Sequence, residues 1–251
     1  PLITDHRRVE GTLVYDSLLY VPRNRPWELD RLDYKIGLKL YQKKVKILDS
    51  ADSLLPRFLR FVCGVVDSPD VNLNVSREIL QQTPVVQTIR KQLTKRILKK
   101  LKEVGEKDPE TYSQFWREFG HILKEGTQED AKSKELITSL LRFRTTTSEG
   151  ELRSLAQVHA DMAEGQEHIW FFANVDKARI ERAPVLEGFK KRGWEVLLMD
   201  EPVDEWVVMA IEEFEGVKLQ SVTKGEIPDE QSEEEDPIAE AAKEQARPLV
   251  G

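Results

Sequence analysis

Arg77, Glu78, Gln81 and Gln82 interrupt the segment LNVSREILQQTP, residues 73–84, between an apolar run and a proline. A guanidinium, a carboxylate and two carboxamides in one short segment offer charge and several hydrogen bonds. The plain alternative is structural. Ser76 or Thr83 caps a helix, Pro84 takes its first position, and Arg77 and Glu78 are solvated. Residue types alone leave both readings open.

No other segment carries a complete reactive set. Cys63 has apolar neighbours in RFVCGVV, the setting of a buried, inert thiol. As the single cysteine it has no internal disulfide partner, which fits a reducing, cytoplasmic compartment. His6, His121, His159 and His168 show no metal-ligand spacing. His121, beside Ile122 and Leu123, reads as a packed or edge histidine. There is no G-x-S-x-G, H-E-x-x-H or C-x-x-C motif, and neither glycine-rich phosphate loop follows a strand. Between Pro84 and Lys102, Arg90, Lys91, Lys95, Arg96, Lys99, Lys100 and Lys102 meet no acid. They form either a surface for nucleic acid or another polyanion, or the solvated face of an amphipathic helix. The missing aromatic platform favours the second.

These groups need elements to hold them. The chain has 251 residues, 39% hydrophobic and 33% charged, and reads as a soluble globular protein. No apolar run approaches the roughly 20 residues of a membrane helix. PLITDHRRVEG lacks a signal peptide's apolar region, and a start at Pro1 reads as a processed or excised chain. From Gly225 to Gly251, nine acids against two bases account for the whole net charge of −7. That acidic tail is expected to be disordered or weakly helical. Strands are predicted over Val9–Pro22, Leu38–Leu48 and Leu59–Ser68, the last central, with short helices near Asp52–Phe58. The period then changes to 3.6: Val86, Ile89, Leu93, Ile97, Leu101 and Val104 mark a helix capped by Thr83. Helices follow over Asp108–Gly126 and Gln128–Arg144, then a polar loop and another short helix. After Gly165, strand, helix, strand, helix and strand imply a parallel sheet. Residue by residue, this is a two-part α/β protein without a complete active site.

The stretch RFVCGVVDSPDVNLNVSREILQQTPVVQTIRKQLTKRIL resembles the heat-shock protein 90 chaperones, most closely their bacterial members. EGTLVYDSLLYVPRNRPWEL, GLKLYQKKVKILD, FWREFGHILKEG, EGQEHIWFFA and GWEVLLMDEPVDEW match in the same order. The resemblance runs from about Val9 to about Thr223. It implies the family's middle segment, of α/β (α+β) class: two α-β-α sandwich subdomains joined by a short helical segment. The boundaries would be 1–107, with the catalytic loop, 108–158, connecting helices, 159–224, the smaller subdomain, and 225–251, the tail.

The resemblance also implies roles. Arg77 would contact the ATP γ-phosphate in the family's N-terminal ATPase domain, and Gln81 would assist there. An arginine from another domain stabilises charge on a transferred phosphoryl group. Unfolded client proteins would meet Trp27, between Pro26 and Glu28, and Trp206 with Met209; packing is the alternative for each. The implied cofactor is ATP with Mg in the full-length protein, with none bound by this segment alone. The full-length protein would be a cytoplasmic homodimer, joined by a C-terminal dimerisation domain. Val71-Asn72 stands where many relatives have Leu-Pro, but LNVSRE is intact. A split ATPase of the type II topoisomerase kind would need a lysine motif not found here.

Overall fold

The structure is a computed structural model that describes residues 1–71, 83–176, 179–180 and 182–224. Strands β1 (Ile3–Val9), β2 (Tyr15–Val21), β3 (Leu38–Gln42), β4 (Val45–Leu48) and β5 (Cys63–Asp67) form one sheet. Their order is β1-β2-β5-β3-β4. The apolar run at Cys63–Asp67 becomes the central strand, antiparallel to β2 and parallel to β3. Two expectations for this sheet are corrected. Val9–Pro22 is not one strand, because Val9 ends β1 and only Tyr15–Val21 is β2. β1 itself, ITDHRRV, lacked an apolar signal because it is an edge strand with only Ile3 buried. Charge on an edge blocks unwanted pairing. Leu38–Leu48 is a hairpin, turned at Lys43 and Lys44, whose φ values of 48° and 69° suit a tight two-residue turn.

Six α-helices lie among the described residues: α1 (Pro84–Lys107), α2 (Pro109–Glu129), α3 (Lys134–Leu140), α4 (Leu155–Ala160), α5 (Val185–Lys191) and α6 (Asp204–Ala210). Thr83 caps α1 by accepting from the Val86 amide at 3.4 Å. Val86, Ile89, Leu93, Ile97 and Leu101 are buried, as their spacing requires. Short 3₁₀ turns occupy Asp52–Leu54 and Arg57–Leu59. Gly126 does not stop α2. It is a close-packing point: a Cβ there would lie 2.7 Å from Phe58 and 3.0 Å from Ile137. The helix expected over Gln128–Arg144 is shorter, because the Asp130 side chain accepts from the Lys132 and Ser133 amides and turns the chain before α3.

The second sheet holds β6 (Arg144–Thr145), β7 (Ile169–Ala173), β8 (Val196–Met199), β9 (Glu213–Phe214) and β10 (Val217–Ser221), in the order β6-β8-β7-β10-β9. β7 is parallel to both β8 and β10, as the alternating pattern predicts. The second helix of the alternation after Gly165 is α6, which ends at Ala210, and Glu215 and Gly216 turn between β9 and β10. One core runs through both sheets, from Leu19 and Leu93 through Phe119 to Leu197 and Val207. A smaller cluster surrounds Trp170, Phe189 and Trp194.

Candidate functional site

Arg77 and Gln81 lie outside the described residues, as do Glu78 and Gln82. Their frame is described on both sides. After β5, the Ser68 amide donates to Tyr41 O at 3.0 Å and its hydroxyl to Val14 O at 2.7 Å. The Val14 amide donates to Asp70 Oδ2 at 2.7 Å, and Gln42 Nε2 donates to Val71 O. Val71 is buried. On the far side, α1 is seated by Val86 and Ile89, and Arg90 donates to Ser53 O at 3.3 Å. Residue 71 is thus fixed to the first sheet, and residue 83 begins the helix that covers it.

The aromatic candidates are exposed. Trp27 is 77% and Leu32 95% accessible on the segment between β2 and β3. Trp206 is 52% and Met209 71% accessible on α6. For Trp206 and Met209 the packing alternative is removed, since Val207 is the α6 side chain that enters the core.

Both segments hang on α2. The Arg25 amide donates to Glu118 Oε2 at 2.8 Å. Arg25 Nη1 lies 3.0 Å from His121 Nε2 and 3.2 Å from Asp30 Oδ2, and His121 Nε2 lies 3.2 Å from Asp30 Oδ1. His121 is therefore an edge histidine in an ionic cluster. Among the described residues no group of three His, Cys, Asp or Glu could hold a metal ion. On the other flank Lys124 Nζ sits 2.6 Å from both Glu201 Oε2 and Asp204 Oδ1. Burial holds the Asp204 carboxyl above the usual carboxylate range, opposed by the adjacent Lys124 charge. The Lys124 ammonium also faces the rings of Trp116 and Phe143. Between the flanks lies a cleft of about 820 Å³, bordered by Arg25, by Glu118 and His121 of α2, and by Trp206. Lys124 escaped sequence reasoning because a lysine in a helix usually faces water. Its only signal was its place between Leu123 and Glu125.

Cys63 is half-buried, and burial pushes its thiol pKa up, as expected of an inert thiol. Three of the seven α1 bases are committed within the fold. Arg90 bonds Ser53 O, Arg96 pairs with Asp5 at 2.7 Å, and Lys100 pairs with Glu103 at 3.2 Å. Lys91, Lys95, Lys99 and Lys102 are exposed. Among the described residues no helix is long and apolar enough to cross a membrane.

All 251 residues match a family model described as Hsp90 protein. The chain is 45% identical over its whole length to the chaperone protein HtpG of Serratia proteamaculans and 44% identical to that of Yersinia pestis. It spans about 40% of the length of these curated relatives. The solved middle domain of a Plasmodium falciparum heat shock protein superposes with a TM-score of 0.77 at 30% identity, covering 90% of this chain and 88% of that one. With the family matched end to end and its middle-domain fold reproduced, the chain belongs to the Hsp90 family of chaperones.

Proposed function

We propose that this chain is the segment of an ATP-dependent chaperone that holds unfolded polypeptide and completes the ATPase site of an N-terminal domain. The observation that carries the first half is the exposure of Trp27 and Trp206 on the two segments that border one cleft of α2. Large aromatics on a rigid frame are strong anchors for a partner's apolar side chains, because burying them removes much area at little entropic cost. Replacing both by alanine should abolish suppression of aggregation of an unfolded model protein while leaving the chain's unfolding midpoint nearly unchanged. Full suppression by the double variant would refute the assignment.

The second half rests on NVSREILQ, residues 74–81. Arg77 would neutralise charge on the γ-phosphate, and Gln81 would orient an oxygen or a water there. ATP with Mg would supply the transferred phosphoryl group. Placing the arginine on a separate domain makes hydrolysis conditional on docking. In a protein joining this segment to its ATPase domain, Arg77→Ala should leave nucleotide affinity nearly unchanged and lower turnover roughly tenfold or more. Unchanged turnover would reduce the loop to a helix entry. The same reading divides the chain into a catalytic-loop unit, 1–107, connecting helices, 108–158, and a smaller unit, 159–224. It places the protein in the cytoplasm as a homodimer joined by a further, C-terminal domain. A polyanion reading of α1 has lost three of its seven charges to contacts within the fold.

A further inference from the structure

We infer that the cleft between the Trp27 segment and α6 selects polypeptide segments that carry a carboxylate beside an apolar residue, and that Arg117 reads the carboxylate. The inference rests on the client-binding reading above and specifies its substrate.

Six charged or titratable side chains line the cleft with Trp206: Arg25, Arg117, Glu118, His121, Glu125 and Glu201. Five are committed. Arg25 and His121 share Asp30. Glu118 accepts from the Arg25 amide. Glu125 holds Arg60 through two hydrogen bonds. Glu201 is paired with the buried Lys124. Arg117 alone of the six makes no hydrogen bond or ion pair with any described residue, and it is exposed. It stands four residues before His121 on α2, so the two share the helix face that lines the cleft. A ligand entering beside Trp206 thus meets Glu125 and Glu201 already paired with cations, Glu118 turned to the Arg25 amide, and one cation with all its donors unused. A guanidinium matches a carboxylate with two parallel hydrogen bonds, which an amide or an ammonium cannot reproduce. The exposed acid next to Trp206, Glu205, is not part of the cleft lining. An occupant's apolar side chain would lie against Trp206 and its carboxylate against Arg117.

The test measures binding of short labelled peptides to the 251-residue chain. The peptides share one apolar core and differ only in whether the next residue is Glu, Gln or Lys. The Glu peptide should bind about two- to fivefold more tightly than the Gln peptide at low salt, the range of a partly screened ion pair. The Lys peptide should bind most weakly. High salt should erase the differences. Arg117→Gln should bind all three alike, and Trp206→Ala should weaken all three. Equal affinity of the wild type for the Glu and Gln peptides, or a preference that survives Arg117→Gln, would overturn the role of Arg117 and leave client binding standing. Failure of every peptide to bind the wild type would overturn the client-binding reading, and this inference with it.

Discussion

Lys124→Met isolates the contact that holds α6, and with it Trp206, against α2. The Lys124 side chain is 6% exposed and its partner Asp204 1%, while Glu201, the other partner, is 40% exposed. Methionine keeps most of the apolar stem and removes the charge, so the change is chiefly electrostatic. Glu201 can turn to water. Asp204 cannot, because its other oxygen accepts from the Glu201 amide at 3.0 Å. Stranding one member of a buried pair costs about 3–5 kcal/mol. The Asp204 carboxyl already titrates above the usual range, so it can take up a proton rather than remain charged and alone. The lower end applies, about 3 kcal/mol. Urea unfolding followed by intrinsic fluorescence would measure it as a shift of midpoint at constant slope. Lys124→Met with Asp204→Asn removes both charges and should recover most of the loss, leaving about 1 kcal/mol for the weakened turn at Glu201. A single variant within about 1 kcal/mol of wild type, or a double variant no better than the single, would refute this account of α6.

Two further outcomes follow from the same packing. Gly126→Ala places a methyl 2.7 Å from the Phe58 ring and should cost about 1–3 kcal/mol by overpacking, read from the same urea curves. Glu129 is exposed, yet partial desolvation against its neighbours raises its carboxyl above the ordinary value, with the Phe58 amide bond opposing. A carboxylate whose folded pKa is raised binds protons more tightly when folded, so its contribution to stability falls as pH rises from the ordinary carboxylate range through the raised value. Glu129→Gln should therefore gain stability relative to wild type across that mildly acidic window as pH increases. A wild-type-minus-variant difference that is flat with pH would contradict it.

Periodic burial was legible in the sequence. The apolar stripe from Val86 to Leu101 marked α1, the continuous run at Cys63–Asp67 marked a central strand, and the alternation after Gly165 marked the three parallel strands β8, β7 and β10, though not the antiparallel edges β6 and β9. What stayed hidden depended on partners distant in sequence. β1 looks polar because as an edge strand it buries a single side chain, and only pairing with β2 makes it a strand. Gly126 reads as a helix stop until Phe58 and Ile137 are seen to occupy the space a side chain would need. Trp206 and Val207 are adjacent large apolar residues. The docking of α6 on α2, not local pattern, decides which one is exposed. The start of the helix that follows Arg77 could be read from Thr83 and Pro84. Arg77 itself was singled out by resemblance, since its residue type is equally at home in solvent.

The charges on α2 divide by direction, and this decides how the proposed client surface is built. Adjacent residues on a helix point about 100° apart. Lys124 therefore turns to Glu201 and Asp204 beside the second sheet, while Glu125 turns to Arg60 beside the first. Near the helix C-terminus Glu129 accepts from the Phe58 amide, and near its middle Glu118 accepts from the Arg25 amide. One helix thus fixes the Trp27 segment and the Trp206 helix by separate contacts, each joining residues more than sixty positions apart. These contacts do not share a side chain, so variants on the two flanks should have additive effects on stability. The proposed peptide binding across the cleft would need both flanks at once. Its losses should therefore not add: once either flank is displaced, disturbing the other removes little more.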